Sequence, residues 1–261
     1  MSGLDAVFAA ARAERRGTLI GYLPAGFPTV SRSIELLGAM IDGGVDLVEV
    51  GVPYSDPVMD GPTIQAAANE ALHAGFRLRD TFRVVEAIAS RGGHAVVMTY
   101  WNPVHRYGVD AFAADLAAAG GHGLITPDLI PDEAGDWLAA SEAHGLSRTF
   151  LIAPSSSRER IARAAGASTG FLYATAVMGV TGARERVGSG AAELVGRARE
   201  VTDLPVGVGL GVRSGQQAAE VASFADAVIV GSAFVTAART GPAAAGELAA
   251  ELAGGVRDGG G

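Results

Sequence analysis

At 261 residues, with 49% hydrophobic and 18% charged positions, the chain is long enough to bury one substantial core and too short to need two. Its formal net charge of −8 provides no basic field for nucleic acid or an anionic membrane surface, which excludes both as expected partners and leaves small molecules. Every basic position is arginine, and there is no cysteine, so disulfides, Cys-zinc sites, thiol nucleophiles and lysine Schiff bases, with a carbonyl substrate or with pyridoxal phosphate, are unavailable.

Residues Met1 to Arg16 mix Asp5, Arg12, Glu14, Arg15 and Arg16 with alanines, unlike the apolar core of a signal peptide, and no later run is apolar for long enough to span a bilayer. A cytoplasmic location is expected. A leading helix, about Leu4 to Arg15, precedes a series of β-branched or apolar runs that alternate with alanine-rich segments of helical period. The predicted strands are Thr18 to Leu23, Leu47 to Val52, Ala95 to Trp101, Gly123 to Pro127, Thr149 to Ala153, Gly170 to Thr175, Val206 to Leu210 and Ala227 to Val230. Helix starts are marked at Ser31, Pro62, Asp132 with Glu133, and Ser214.

Eight recurring β-α units predict a single α/β domain over 1–261, a (β/α)8 barrel with an extra N-terminal helix covering its bottom. An open doubly wound sheet is the weaker alternative, because no strand leads into a complete G-x-G-x-x-G fingerprint. The glycine-rich end, residues 254–261, is expected to fray.

Active sites of such barrels lie at the C-terminal ends of the strands. Glu49 sits near the end of the second predicted strand, and alternation directs it opposite to Val48 and Val50, into the barrel mouth if the valines face the helices. No arginine falls within a predicted strand to pair with it, and a carboxyl held among apolar neighbours has a raised pKa, the condition for giving and taking a proton near neutral pH. The following loop, Val52 to Pro62, is stiffened by three prolines and carries Asp56 and Asp60. Glycines after the seventh and eighth strands, in Gly207-Val208-Gly209-Leu210-Gly211 and Val230-Gly231-Ser232-Ala233, suit backbone N–H binding of phosphate at helix N-termini. Met178 to Arg184 forms a third glycine-rich loop long enough for a lid. Tyr22 and Tyr173 share the inward alternation of Glu49 and can flank a flat aromatic ligand. The five histidines never pair at ligand spacing, so no metal is expected.

The stretch Val48-Glu49-Val50-Gly51-Val52-Pro53-Tyr54-Ser55-Asp56-Pro57-Val58-Met59-Asp60-Gly61-Pro62-Thr63-Ile64-Gln65 closely resembles the signature of the tryptophan synthase α subunit family. Leu23-Pro24-Ala25-Gly26, Met98-Thr99-Tyr100-Trp101-Asn102-Pro103, Gly179-Val180-Thr181-Gly182, Gly209-Leu210-Gly211 and Gly231-Ser232-Ala233 follow the family's order, so the resemblance covers essentially the whole chain. It implies a TIM-barrel lyase that needs no cofactor and cleaves indole-3-glycerol phosphate to indole and glyceraldehyde 3-phosphate. It further implies Glu49 as general acid/base and Asp60 as the group stabilising positive charge on the indole nitrogen. The phosphate would lie at Gly182, Gly211, Gly231 and Ser232, with Tyr22, Met98, Tyr173 and Thr181 around the indole or glycerol portions. A β subunit is the implied partner, in an α2β2 complex, through surface that includes Pro53, Asp56, Asn102 and Ile130. Met59 is bulkier than the residue usual in the family, Ala176-Val177-Met178 is less polar than the usual lead-in, and Ile130 stands where many relatives have proline.

Three other readings compete: a stand-alone lyase releasing free indole, a barrel kept as a binding or activating partner, and another phosphate-binding barrel enzyme such as a phosphosugar isomerase. The buried acid argues against a purely structural barrel, which has no need of one.

Overall fold

The structure is a computed structural model that describes residues 3–176, 189–209 and 211–260. Its strands are β1 (Thr18–Pro24), β2 (Leu47–Gly51), β3 (Ala95–Met98), β4 (Gly123–Ile125), β5 (Ser147–Thr149), β6 (Leu151–Ile152), β7 (Leu172–Thr175), β8 (Val206–Gly209) and β9 (Ala227–Val230). All pair in parallel, in the order β5-β4-β3-β2-β1-β9-β8-β7-β6.

The expected fifth strand is thus two short segments, β5 paired with β4 and β6 paired with β7. Between them the Phe150 N–H is taken by the Ser168 hydroxyl at 3.2 Å instead of by a neighbouring strand. The chain itself carries the ring across this point, so the ninth strand is a break in the fifth and the eight-unit (β/α)8 barrel stands.

Helices follow the strands around the outside: α2 (Val30–Asp42), α3 (Pro62–His73), α4 (Asp80–Ser90), α5 (Trp101–Tyr107), α6 (Val109–Ala118), α7 (Gly135–Ala143), α8 (Arg158–Ala167), α9 (Ser189–Arg199), α10 (Gly215–Ala222), α11 (Ser232–Thr240) and α12 (Pro242–Gly259), with α1 (Gly3–Ala13) ahead of the repeat. Pro62 opens α3, and the Ser214 side chain caps α10. Helix α2 begins before Ser31, with Thr29 accepting the Arg32 N–H, and Asp132 and Glu133 lie in a 3-10 turn ahead of α7. The third strand stops at Met98, three residues short of expectation, because the Trp101 N–H donates to Asp128 at 2.8 Å and starts α5 there.

Inside the ring, residues two apart on each strand share a face. Ile20, Leu47, Val96, Ile125, Phe171, Ala227 and Ile229 form one buried layer, plugged from below by Leu4, Val7 and Phe8 of α1. The next inward positions toward the C-terminal ends are Tyr22, Glu49, Met98 and Tyr173, so the amphipathic α1 closes one end and the alternation delivers polar groups to the other.

Two further expectations change. Arg148 does lie within a strand, but its guanidinium donates to the Ala167 and Leu138 carbonyls and the Ser141 hydroxyl, so it does not serve Glu49. Sequence spacing also hid a histidine pair: His94 Nδ1 and His122 Nε2 lie 2.9 Å apart at the start of β3 and β4, the end remote from Glu49.

Residues 254–259 are helical, not frayed. Gly254, Gly255 and Gly259 would each disfavour an isolated helix by about 1 kcal/mol. Tertiary packing overrides this: a Cβ on Gly255 would collide with the backbone of Gly215, and one on Gly259 with that of Ala219. Helix α12 therefore lies on α10 at backbone contact, burying Ala245, Ala249, Leu252, Ala253 and Val256. Gly255→Ala is expected to lower unfolding free energy by about 1–3 kcal/mol through overpacking. Urea denaturation checks this, and an unchanged midpoint would mean that the contact does not hold the helix in solution.

Candidate active site

A cavity of about 320 Å³ opens at the C-terminal end of the barrel, lined by Tyr22, Glu49, Asp60, Met98, Tyr173 and Gly231 among the residues expected there. Its remaining walls are Met59, Gly61, Ile64, Leu151, Thr175, Ala176, Gly209 and Ile229. Apart from the carboxyls, then, it is a largely apolar slot flanked by two phenols.

Glu49 is 1% exposed, and its Oε2 has no hydrogen-bond partner among the described residues. Register places it beside Tyr22 on β1 and Val96 on β3. Burial, and then the charge of Asp60, push its carboxyl up to about 8. It is therefore mostly protonated at neutral pH, an acid with an ionisation range close to its working range. The same burial raises the Tyr22 and Tyr173 phenols well above their ordinary value, keeping both neutral.

Both tyrosines depend on glycine. A side chain at Gly51 would overlap the Tyr22 ring, and one at Gly209 would overlap that of Tyr173. Glycine at these strand ends is thus a matter of space for a neighbour's ring.

Asp60 is half-buried at the end of the proline-rich loop, and burial raises its pKa while a hydrogen bond from Tyr100 opposes the rise. The Tyr100 hydroxyl also accepts the N–H groups of Val58 at 3.2 Å and Met59 at 3.0 Å. Gln65 Nε2 donates to the Asp60 carbonyl at 2.7 Å, tying the loop to α3. Tyr100 lies in the Met98-Thr99-Tyr100-Trp101-Asn102-Pro103 stretch, and the alternation that turns Val96 and Met98 inward is the sequence signal that points to it. Asn102 donates to Tyr54 at 3.2 Å, and Tyr54 packs on Tyr100 with ring centroids 5.3 Å apart.

Gly231 precedes the first turn of α11, which opens with Ser232, while Gly211 holds a left-handed φ of 76° in the turn after β8. The first-turn N–H groups of α11 lack intrahelical partners and the helix dipole favours an anion there. Gly211 and Ser232 flank the cavity without lining it. Thr181 and Gly182, with the rest of the Met178 to Arg184 loop, lie outside the described residues. Of the four expected partner-facing residues, Asp56, Asn102 and Ile130 present exposed surface, whereas Pro53 is buried within the chain.

Fold and site together define a (β/α)8-barrel enzyme of the carboxylate acid/base class. The family model described as tryptophan synthase alpha chain matches residues 8–254. The tryptophan synthase alpha chain of Mycobacteroides abscessus is 63% identical, covering 97% of each chain, and that of Nocardia farcinica is 62% identical over 98% of this chain and 96% of its own. Among solved structures, tryptophan synthase from Mycobacterium tuberculosis superposes with a TM-score of 0.93 at 62% identity, covering 98% of each chain. A chain of the Pyrococcus furiosus tryptophan synthase complex gives 0.82 at 32% identity over 91% of this chain and 98% of its own. The chain belongs to the tryptophan synthase alpha chain family.

The Glu49 environment has a consequence for stability. Its folded-state pKa of about 8 exceeds the ordinary 4.5, so the protonated form favours the folded state. That contribution is complete below pH 4.5 and is lost as pH rises through 8. Glu49→Gln, which stays neutral, is expected to gain stability relative to the parent by on the order of 4 kcal/mol between pH 5 and 9. Urea unfolding of both proteins across that range tests it, and parallel stability curves would remove the burial penalty.

Proposed function

We propose that this chain cleaves indole-3-glycerol phosphate by a retro-aldol reaction to indole and glyceraldehyde 3-phosphate, as one (β/α)8 domain working in the cytoplasm with a tryptophan synthase β subunit in an α2β2 complex. The observation that carries the chemistry is a buried Glu49, its Oε2 without a partner among the described residues, beside Asp60 in an apolar slot, in a chain of this family.

Glu49 begins protonated and gives its proton to indole C3, which places positive charge on the ring nitrogen facing Asp60. The resulting carboxylate takes the proton of the adjacent glycerol hydroxyl. Its O–H electrons form the aldehyde C=O, the carbon-carbon bond breaks, and that bond's electron pair returns to the indole ring, neutralising the nitrogen. One proton is given and one taken, so Glu49 ends as it began. The protonated indole is the electron sink that a lysine imine would otherwise supply, in a chain without lysine. Tyr22 and Tyr173 flank the indole, and the α11 N-terminus with Gly211, Gly231 and Ser232 receives the phosphate.

Val58, Met59 and Ile130 are 75%, 47% and 52% exposed, the large apolar side chains that the described surface leaves open. They lie on the loops after β2 and β4, beside Asp56 and Asn102, and this surface is the proposed seat of the β subunit. No described helix is long and apolar enough to cross a membrane.

The test is indole release by the purified chain and its Glu49→Gln variant, each with and without β subunit. The variant is expected to lose at least 100-fold to 10,000-fold in rate, the usual weight of a general acid/base. Parent kcat/KM is expected to fall above about pH 8, as Glu49 in the free enzyme loses its proton. Activity that needs Glu49 and rises with β supports the reading; turnover indifferent to β would favour a stand-alone lyase, and none under any condition would sink the assignment.

Tyr100→Phe removes the hydroxyl that organises the Asp60 loop, so kcat is expected to drop roughly tenfold while the fall above pH 8 persists. Ile130→Asp is expected to weaken β-subunit affinity by about tenfold or more in a titration, leaving basal cleavage intact.

A further inference from the structure

The cavity that holds Glu49 has walls of two kinds. Its large side chains stand for the most part on strands or on a helix, with packed structure behind them. The Tyr22 and Tyr173 rings press on Gly51 and Gly209 so closely that a Cβ at either glycine would collide, and Ile229 on β9 is buried. Ile64 stands on α3 and is β-branched, which makes it stiff at χ1. Even Asp60, on the loop between β2 and α3, has its side chain held by the Tyr100 hydroxyl.

Met59 is of the other kind. It lines the same cavity, yet it is 47% exposed, and it is the one lining residue that is also a large apolar side chain open to solvent among the described residues. Its main chain is fixed, because its N–H donates to the Tyr100 hydroxyl at 3.0 Å. The side chain beyond is an unbranched thioether, which changes shape easily and sits with half its surface already in water. A pinned backbone and a yielding side chain make a wall that moves without disturbing the carboxyl next to it.

We propose that Met59 sets the tolerance of this site for substituents on the indole ring, and that the chain accepts indole-3-glycerol phosphates carrying a small apolar group on ring carbon C7. The inference rests on the lyase reading above, in which Asp60 faces the ring nitrogen. C7 is the benzo carbon on the nitrogen side, so a group there is directed to the Asp60 end of the slot, where Met59 is the neighbouring wall. The thioether turns outward and the group takes its place against apolar surface. C5 lies across the benzo ring from C7, and a group there meets strand-borne walls that have nowhere to go. An extra methyl group in a pocket that does not yield is disfavoured by about tenfold or more.

The experiment measures kcat/KM of the purified full chain for unsubstituted, 7-methyl and 5-methyl indole-3-glycerol phosphate, beside Met59→Ile and Met59→Ala. The first variant keeps the bulk and stiffens it at the branch; the second leaves the space open. In the parent, the 7-methyl substrate is expected within about threefold of the unsubstituted one, and the 5-methyl substrate about tenfold or more below it. Met59→Ile is expected to lower the ratio of 7-methyl to unsubstituted substrate about tenfold, Met59→Ala to hold it at or above the parent's value, and neither to move the 5-methyl ratio. Calorimetric titration of each protein with indole, 7-methylindole and 5-methylindole reads the same selectivity without cleavage. It therefore tests Met59 separately from the lyase reading, which fails on its own if the unsubstituted substrate is not cleaved. A parent that rejects the 7-methyl compounds as strongly as the 5-methyl ones, a Met59→Ile variant that keeps the parent's ratio, or a Met59→Ala variant that loses it, would overturn the proposal.

Discussion

A buried carboxyl group whose Oε2 finds no partner among the described residues is the constraint around which the rest of this structure is arranged. Glu49 belongs to a layer that is otherwise hydrocarbon and phenol, and its ionised form is disfavoured by burial and by Asp60. The proposed reaction uses that tension, because an acid that titrates near neutrality can both give and take a proton. The barrel supports it by rigidity. Parallel strands fix the register of Glu49 beside Tyr22, and a slip of one residue in β2 would turn the carboxyl out toward the helices and bring a valine in.

The two carboxylates are held in different ways. Glu49 is part of a strand, positioned by the ladder, while Asp60 rides on a loop that the Tyr100 hydroxyl gathers through the amides of Val58 and Met59. The first is fixed before any ligand arrives. The second is held by the Tyr100 phenol and the Gln65 contact. The same loop displays Val58 and Met59 outward, so a protein docked on that surface would touch the backbone that carries Asp60.

Much of this was legible in the sequence because alternation with period two is a strong signal. It put Glu49, Tyr22 and Tyr173 on one inward face, and they line one cavity. The features that escaped were set by tertiary contacts. The break at Phe150 depends on a hydroxyl from Ser168, and the early end of β3 on the carboxylate of Asp128, each distant in sequence. The helical Gly254–Gly259 segment defeats a composition argument, since its glycines disfavour a helix locally while Gly255 and Gly259 let the backbone of α10 come close. Arg148 and the His94–His122 pair were hidden for the same reason, their partners being brought by the fold.

The glycine-mediated seat of α12 bears on the order in which the molecule can be built. Besides resting on α10, this helix approaches α2, where Gly43 lies so close to the Gly246 carbonyl that it has no room for a side chain, and Gly246 is tight against the Ala39 carbonyl. Helix α2 leaves the ribosome long before α12 does, and its outer face waits uncovered through most of synthesis. Such sequence-distant contacts are slow to form, and a nascent barrel with that stripe exposed is the state in which chaperones would find it.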